Sequence, residues 1–186
     1  MLDMGFIRDI RYIVDRLSPK RQTLCFSATI TSEIKTLLSQ MLVNPVTVSV
    51  KTSEGSNHIE QDIIPVEGKI EKLEYLKKML KDPEFARVLV FGQTKFGVQH
   101  LAEDLTKAGI PSEAIHGNKS QSHRQRALNS FKAGHVRVLV ATDVAARGLD
   151  IPNVSHVINF DQPNTYDDYI HRIGRTGRAG KRGKAL

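Results

Sequence analysis

The run VRVLVAT at residues 136–142 is apolar at odd and even positions alike. Successive side chains of a strand point to opposite faces of a sheet, so a strand with no polar parity has both faces covered. Similar strand-like runs are RVLVFG at 87–92 and VSHVINF at 154–160, with shorter ones at DIIPV (62–66) and EAIH (113–116). Helical patterns separate them, over 69–81, 95–108 and 121–133, with a short one over 165–173. Ala108-Gly109 and Ala133-Gly134 end two of these helices with a glycine suited to the left-handed cap position. The alternation predicts an α/β fold, a parallel sheet with helices on both faces.

Open parallel sheets bind ligands beyond the carboxyl ends of their strands. The unusual polar residues fall at those ends: Thr94-Lys95 after VLVFG, His116-Gly117 after EAI, and Thr142-Asp143 after VLVA. All of them belong on one rim.

The first fifty residues read differently. QTLCFSAT (22–29) has the composition of a buried strand, and Thr31 that of a helix N-cap. Ile34, Leu37, Leu38, Met41 and Leu42 make an apolar stripe at helical spacing. NPV stops that helix and VTVSV (46–50) reads as another strand. KTSEGSNHIEQ (51–61) is polar and linker-like. The expected organisation is a segment 1–50, a linker 51–61 and a domain 62–186.

Of the 186 residues, 27 are lysine or arginine against 20 aspartate or glutamate, a net charge of +7 that favours polyanionic partners such as nucleic acid. The single cysteine, Cys25, sits in an apolar run and reads as a small core side chain; it excludes an internal disulfide. The amino terminus lacks the order of a signal peptide, and no apolar stretch approaches membrane-spanning length, so a cytoplasmic location is expected. His116 and His171 lack ligand-spaced partners, and no metal site is expected from them.

HRIGRTGRAG (171–180) sets Arg172, Arg175 and Arg178 three apart among glycines. One reading is a flexible basic tail. The other is a set of guanidiniums aimed at one phosphate-rich ligand, with Arg175 and Arg178 on one face if the segment is helical.

HRIGRTGR (171–178) resembles motif VI of the DEAD-box RNA helicases letter for letter. ATDVAARGLD (141–150) resembles their motif V, VLVFGQTK (88–95) their motif IV, and SAT (27–29) their motif III. QSHR (121–124), with Leu128 and Phe131, resembles their QxxR element, and MLDMGF (1–6) the stretch after the DEAD tetrapeptide. IHGNKSQ (115–121) is closest to the bacterial RhlE-type branch. The resemblance spans the chain in the family's order. It implies RecA-like lobes, with the end of a first lobe in 1–50 and most of a second in 62–186. Arg175 and Arg178 would then be arginine fingers on the γ-phosphate of ATP. Asp150 would take the ribose, with Gly148 leaving room for the nucleotide. Thr94, Gly117, Arg124 and Thr142 would touch the RNA backbone without reading bases. Ser27, Thr29, Arg147, His171 and Arg172 would couple the lobes. For Arg124 the plain alternative is the exposed face of an amphipathic helix, and for Asp150 a turn residue before Ile151-Pro152.

Neither a P-loop nor a DEAD tetrapeptide is in the sequence; AGKRGK (179–184) puts Arg182 where the hydroxyl belongs. On the family's plan both sit on the first lobe, which would also hold most of the Mg²⁺ that accompanies ATP. The chain is therefore expected to be a fragment, inactive by itself, whose 1–50 segment is disordered, self-associated or swapped between chains. GKAL at the end reads as a final strand cut short. RNA, held by its backbone and not by sequence, is the expected partner, with ribosomal or degradation-machinery RNA among the candidates. A DNA-directed relative and a non-catalytic RNA-binding module are the alternatives.

Overall fold

A computed structural model describes residues 6–27, 32–49, 58–147, 149, 151, 154–177 and 182–186. The chain forms two compact units, Met1–Lys51 and Thr52–Leu186.

In the first unit, helices α1 (Ile7–Val14) and α2 (Ser32–Met41) form, and Arg11 Nη2 donates to Gln40 Oε1 at 2.8 Å. The two strands expected here do not form: residues 21–27 and 45–49 have no regular structure. Leu24, Phe26, Val46 and Val48 lie open to solvent, and Cys25 is exposed, not a core side chain. Strand propensity is satisfied only when a neighbour takes up the backbone N–H and C=O groups, and no described residue of this unit pairs with either run. Ala28–Thr31, and with them the expected N-cap Thr31, lie outside the described residues.

The second unit holds a six-stranded sheet. Its strands are β1 (Ile59–Gln61), β2 (Val88–Phe91), β3 (Ser112–Ile115), β4 (Val138–Ala141), β5 (His156–Asn159) and β6 (Gly183–Ala185). Their order is β1-β6-β5-β2-β4-β3 and every pairing is parallel. The alternation of side chains builds two cores. Val88, Val90, Val138 and Val140 pack on one face with helices α3 (Gly68–Met79) and α4 (Lys95–Lys107). Leu89, Phe91, Leu139 and Ala141 pack on the other with α5 (Gln121–Ala133) and α6 (Asp143–Ala146). Helix α7 (Tyr166–Ile173) contributes Ile173 to a third cluster with Ile59 and Ala185. Gly109 and Gly134, at φ +80° and +81°, occupy the left-handed positions after α4 and α5.

One edge departs from expectation. Ile59–Gln61, inside the stretch read as linker, is the strand, while 62–66 is irregular. Ile59 pairs with Gly183 and Gln61 with Ala185, and Asp62 N donates to Ala185 O at 3.0 Å. Asp62 makes the last of these bonds along the edge, and Pro65 has no N–H to offer beyond it.

His156 opens β5 with its ring stacked on Phe85, centroids 4.1 Å apart. Burial pushes its imidazole below the ordinary value of 6.5; the carboxylate of Glu84, 3.8 Å away, opposes this but is well exposed and screened. As pH falls below 6.5 the unfolded chain takes up a proton that the folded His156 refuses, so acid destabilises the fold. Burial and Lys119 and Lys95 lower His116 in the same direction. The unfolding free energy obtained from urea titration should drop between pH 7.5 and 5.5, by up to about 1.4 kcal/mol per pH unit for each histidine, and His156→Gln should shrink the drop.

Candidate nucleotide and nucleic-acid site

Strands β2, β4 and β3 are neighbours, and each hands its chain to a helix at the carboxyl edge of the sheet. Thr94 caps α4 with its side chain, Oγ1 accepting from Gly97 N at 3.0 Å. Ser120 caps α5 in the same way, and Thr142 stands at the cap position of α6 without a side-chain cap bond. Thr142 N donates to Ile115 O at 3.3 Å, tying the end of β4 to that of β3. Gly117 follows β3 in the open: a Cβ there would meet nothing within 4 Å, and its φ is not positive. Thr94, Gly117 and Thr142 therefore share one rim, with three helix N-termini whose dipoles favour anions.

Arg124 is half-buried on α5, not simply part of an exposed helix face. Its Nη2 donates to Ala145 O at 3.3 Å and its Nη1 to Gln121 Oε1 at 3.4 Å, while its buried Nε has no partner among the described residues. The guanidinium thus bridges α5 to α6, beside Thr142.

The arginine stretch is no flexible tail as far as it is described. Helix α7 ends at Ile173, so Arg175 lies beyond it and the shared helical face expected for Arg175 and Arg178 does not arise. The backbone is pinned instead. Thr176, 2% exposed, donates from Oγ1 to Val154 O at 2.6 Å and bridges to that residue. Gly177, at φ +66°, brings its backbone so close to β1 that a Cβ would lie 2.7 Å from Ile59 Cγ1. Arg175 donates from Nη1 to Leu149 O at 3.1 Å and borders a narrow crevice with Phe91, Arg147, Asp168 and His171.

Arg172, expected at the lobe interface, is enclosed within this unit. It is 1% exposed, donates from Nε and Nη2 to both Asp143 oxygens (2.6 and 2.8 Å) and from Nη1 to Asp161 O (2.6 Å) and Asn159 Oδ1 (3.2 Å), and lies over the Phe91 ring. Its charge is consumed inside this unit, joining α6, α7 and the end of β5. Arg147 pairs with Asp168 at 3.0 Å and stays partly exposed. Ser27 is exposed on the other unit. Thr29, Gly148, Asp150 and Arg178 lie outside the described residues.

The helicase conserved C-terminal domain matches residues 71–180. The chain belongs to this family. Over its full length it is 47% identical to the RNA helicase CrhR of Synechocystis sp. and 47% identical to the DEAD-box ATP-dependent RNA helicase CshA of Bacillus subtilis, covering 38% of each. The chain thus spans less than two fifths of the length of these relatives. Among solved structures it is similar to the E. coli DEAD-box protein SrmB bound to the regulator of ribonuclease activity A (45% identity, TM-score 0.62, 68% of this chain and 72% of that one). It is also similar to S. cerevisiae Dbp5 bound to RNA and ADP BeF3 (30% identity, TM-score 0.81, 100% of this chain and 49% of that one). This is a DEAD-box helicase C-terminal domain of RecA-like architecture.

In this helicase domain the residues that sequence reasoning left without a role are Asp143, Asn159 and Asp161, which hold Arg172. The sequence marked Asp143 as a polar residue at a strand end, but nothing in its spacing pairs it with an arginine 29 positions away. Asp143 and Asp168, the carboxylates beside the arginines, are both committed to guanidiniums. Among the described residues no three ligating side chains are placed to hold a metal ion, and no helix is long and apolar enough to cross a membrane.

Proposed function

We propose that residues 62–186 act as the second lobe of an ATP-dependent RNA helicase, closing with a first RecA-like lobe on ATP and one RNA strand. The single observation that carries this reading is the rim: Thr94, Gly117 and Thr142 at the ends of three adjacent parallel strands, with Arg124 beside them. Hydroxyls, backbone N–H groups at helix N-termini and a guanidinium suit phosphates and carry no base code. The absence of any intrachain reason for glycine at 117 fits a backbone that something else approaches. Dbp5, similar over the whole chain, is seen with RNA and a nucleotide analogue.

In this reading Arg175 and Arg178 neutralise charge developing on the transferred phosphate, and Gly148 and Asp150 accommodate the ribose. Arg147, His171, Ser27 and Thr29 couple the lobes. The Mg²⁺ that accompanies ATP belongs mainly to the other lobe, with the phosphate cradle, since Asp143 and Asp168 beside the arginines are both committed to guanidiniums, so this chain alone turns over ATP at background. Residues 1–50 are the end of that lobe, the protein works in the cytoplasm, and its substrates are short RNA duplexes.

Backbone recognition predicts strong salt dependence. Binding of single-stranded RNA, followed by filter retention from 50 to 300 mM KCl, should give a linear fall of log K with log salt. Arg124→Ala should flatten the slope by about 0.7, the value of one lost phosphate contact on a single strand. A salt-independent affinity would remove this reading.

A further inference from the structure

The second unit buries most of its phenylalanines: Phe85, Phe91 and Phe131 are in the core and Phe160 is partly covered. Phe96 is 66% exposed. A lone exposed apolar side chain is ordinary, so its surroundings decide what it means. Phe96 lies in the first turn of α4, two residues after Thr94. Lys95 Nζ lies 5.3 Å from its ring centroid and donates to Asn118 Oδ1 at 3.2 Å. One turn on, Gln99 Oε1 is 3.2 Å from His116 Nε2. These two links fasten the start of α4, which carries Phe96, to the turn at 116–118, and they hold the ammonium and the amide beside Gly117. His100, also exposed, follows Phe96 at i+4 on the same helix face. Among the described residues Lys95 has no carboxylate partner, and the Asn118 side-chain nitrogen donates to nothing.

We propose that Phe96 is a stacking platform for an unpaired nucleobase of the bound RNA, with Lys95 and Asn118 serving its edge and the neighbouring phosphate. The proposal rests on the reading above, in which a strand follows the rim beside Thr94. A flat apolar face next to a cation attracts any base, because every base has a π-face, so the contact adds affinity without a sequence code. The two N–H donors of Asn118 suit the carbonyl and ring-nitrogen acceptors that bases present. The rim then grips RNA at two levels: hydroxyls and helix ends on phosphate, and one aromatic ring on a base.

The chain contains no tryptophan, so Phe96→Trp introduces a sole indole at the site. The 186-residue chain is titrated at low salt with deca-adenylate and with a ten-unit abasic ribose-phosphate strand. Quenching of the indole by deca-adenylate and none by the abasic strand is expected. Phe96→Ala should weaken deca-adenylate binding by about 5- to 150-fold, the range of one base–aromatic stack. It should leave abasic binding unchanged, and Phe96→Tyr should stay near the original. Arg124→Ala should weaken both strands. Indole emission unmoved at saturating deca-adenylate, or equal effects of Phe96→Ala on the two strands, overturns the proposal while leaving the backbone site intact. Loss of ATP turnover in the complete enzyme without any change in RNA affinity would assign the ring to contact with the other lobe, and also overturns it. Failure of the unmodified chain to bind either strand removes the RNA reading and this inference together.

Discussion

Arg175→Ala in the complete two-lobed protein is expected to lower RNA-dependent ATP turnover by about 10³- to 10⁵-fold, the range measured for arginine fingers in phosphoryl transfer. The size follows from how firmly the residue is placed. Its backbone N donates to Arg172 O at 3.0 Å, its Nη1 to Leu149 O at 3.1 Å, and its neighbour Thr176 is buried and tied to Val154. A guanidinium fixed before the reaction stabilises developing charge without reorganising. Arg175→Lys should recover only a small part of the rate, since an ammonium lacks the planar fork that meets two phosphate oxygens at once. RNA affinity and its salt slope should be unchanged, because Arg175 faces the crevice with Arg147, Asp168 and His171 and is not one of the rim residues Thr94, Gly117 and Thr142. Steady-state turnover at saturating RNA measures the effect; a rate within tenfold of the unaltered enzyme would dismiss the arginine-finger role.

How much of this was legible in the sequence depends on whether a feature is local. The inner strands β2 and β4 were readable because they are apolar at both parities, a property each strand carries by itself. The glycine caps Gly109 and Gly134 were readable for the same reason. Strand pairing is not local. The described parts of QTLCFSAT and VTVSV, 22–27 and 46–49, have strand composition yet are irregular without a partner, and at the sheet edge it is Ile59–Gln61, not 62–66, that pairs with β6. The three arginines of HRIGRTGR look equivalent on paper, spaced evenly among glycines. Burial separates them: Arg172 is enclosed at 1% exposure while Arg175 keeps a face on the crevice. The carboxylate that makes the difference lies on another element, and periodicity holds no record of it.

That carboxylate sets the second large effect. Asp143→Ala is expected to destabilise the domain by about 3–5 kcal/mol, since removing one partner of a buried ion pair leaves the other uncompensated in a poorly solvated site. Arg172 cannot escape to water: Ile173 and Thr176, which follow it in the chain, are buried, and its side chain is held over Phe91. Two further acceptors, Asp161 O and Asn159 Oδ1, lower the cost somewhat, which favours the lower part of that range. Against a typical total of about 5–15 kcal/mol, such a loss is a large share of the fold's stability. The double change Asp143→Leu with Arg172→Met should cost much less than the sum of the single changes, because it removes both desolvation penalties and returns apolar area to the Phe91 side of the core. Urea unfolding of the four proteins, followed by circular dichroism, gives the cycle. Additive losses would mean that the pair contributes nothing as a pair, and that α6, α7 and the end of β5 are held by packing alone. Strong non-additivity would show that the ion pair itself ties α6, the start of which carries Thr142, to α7, which runs up to the Arg175 crevice. In that case a substitution there should disturb ATP turnover and RNA affinity together, whereas Arg175→Ala and Arg124→Ala each disturb one.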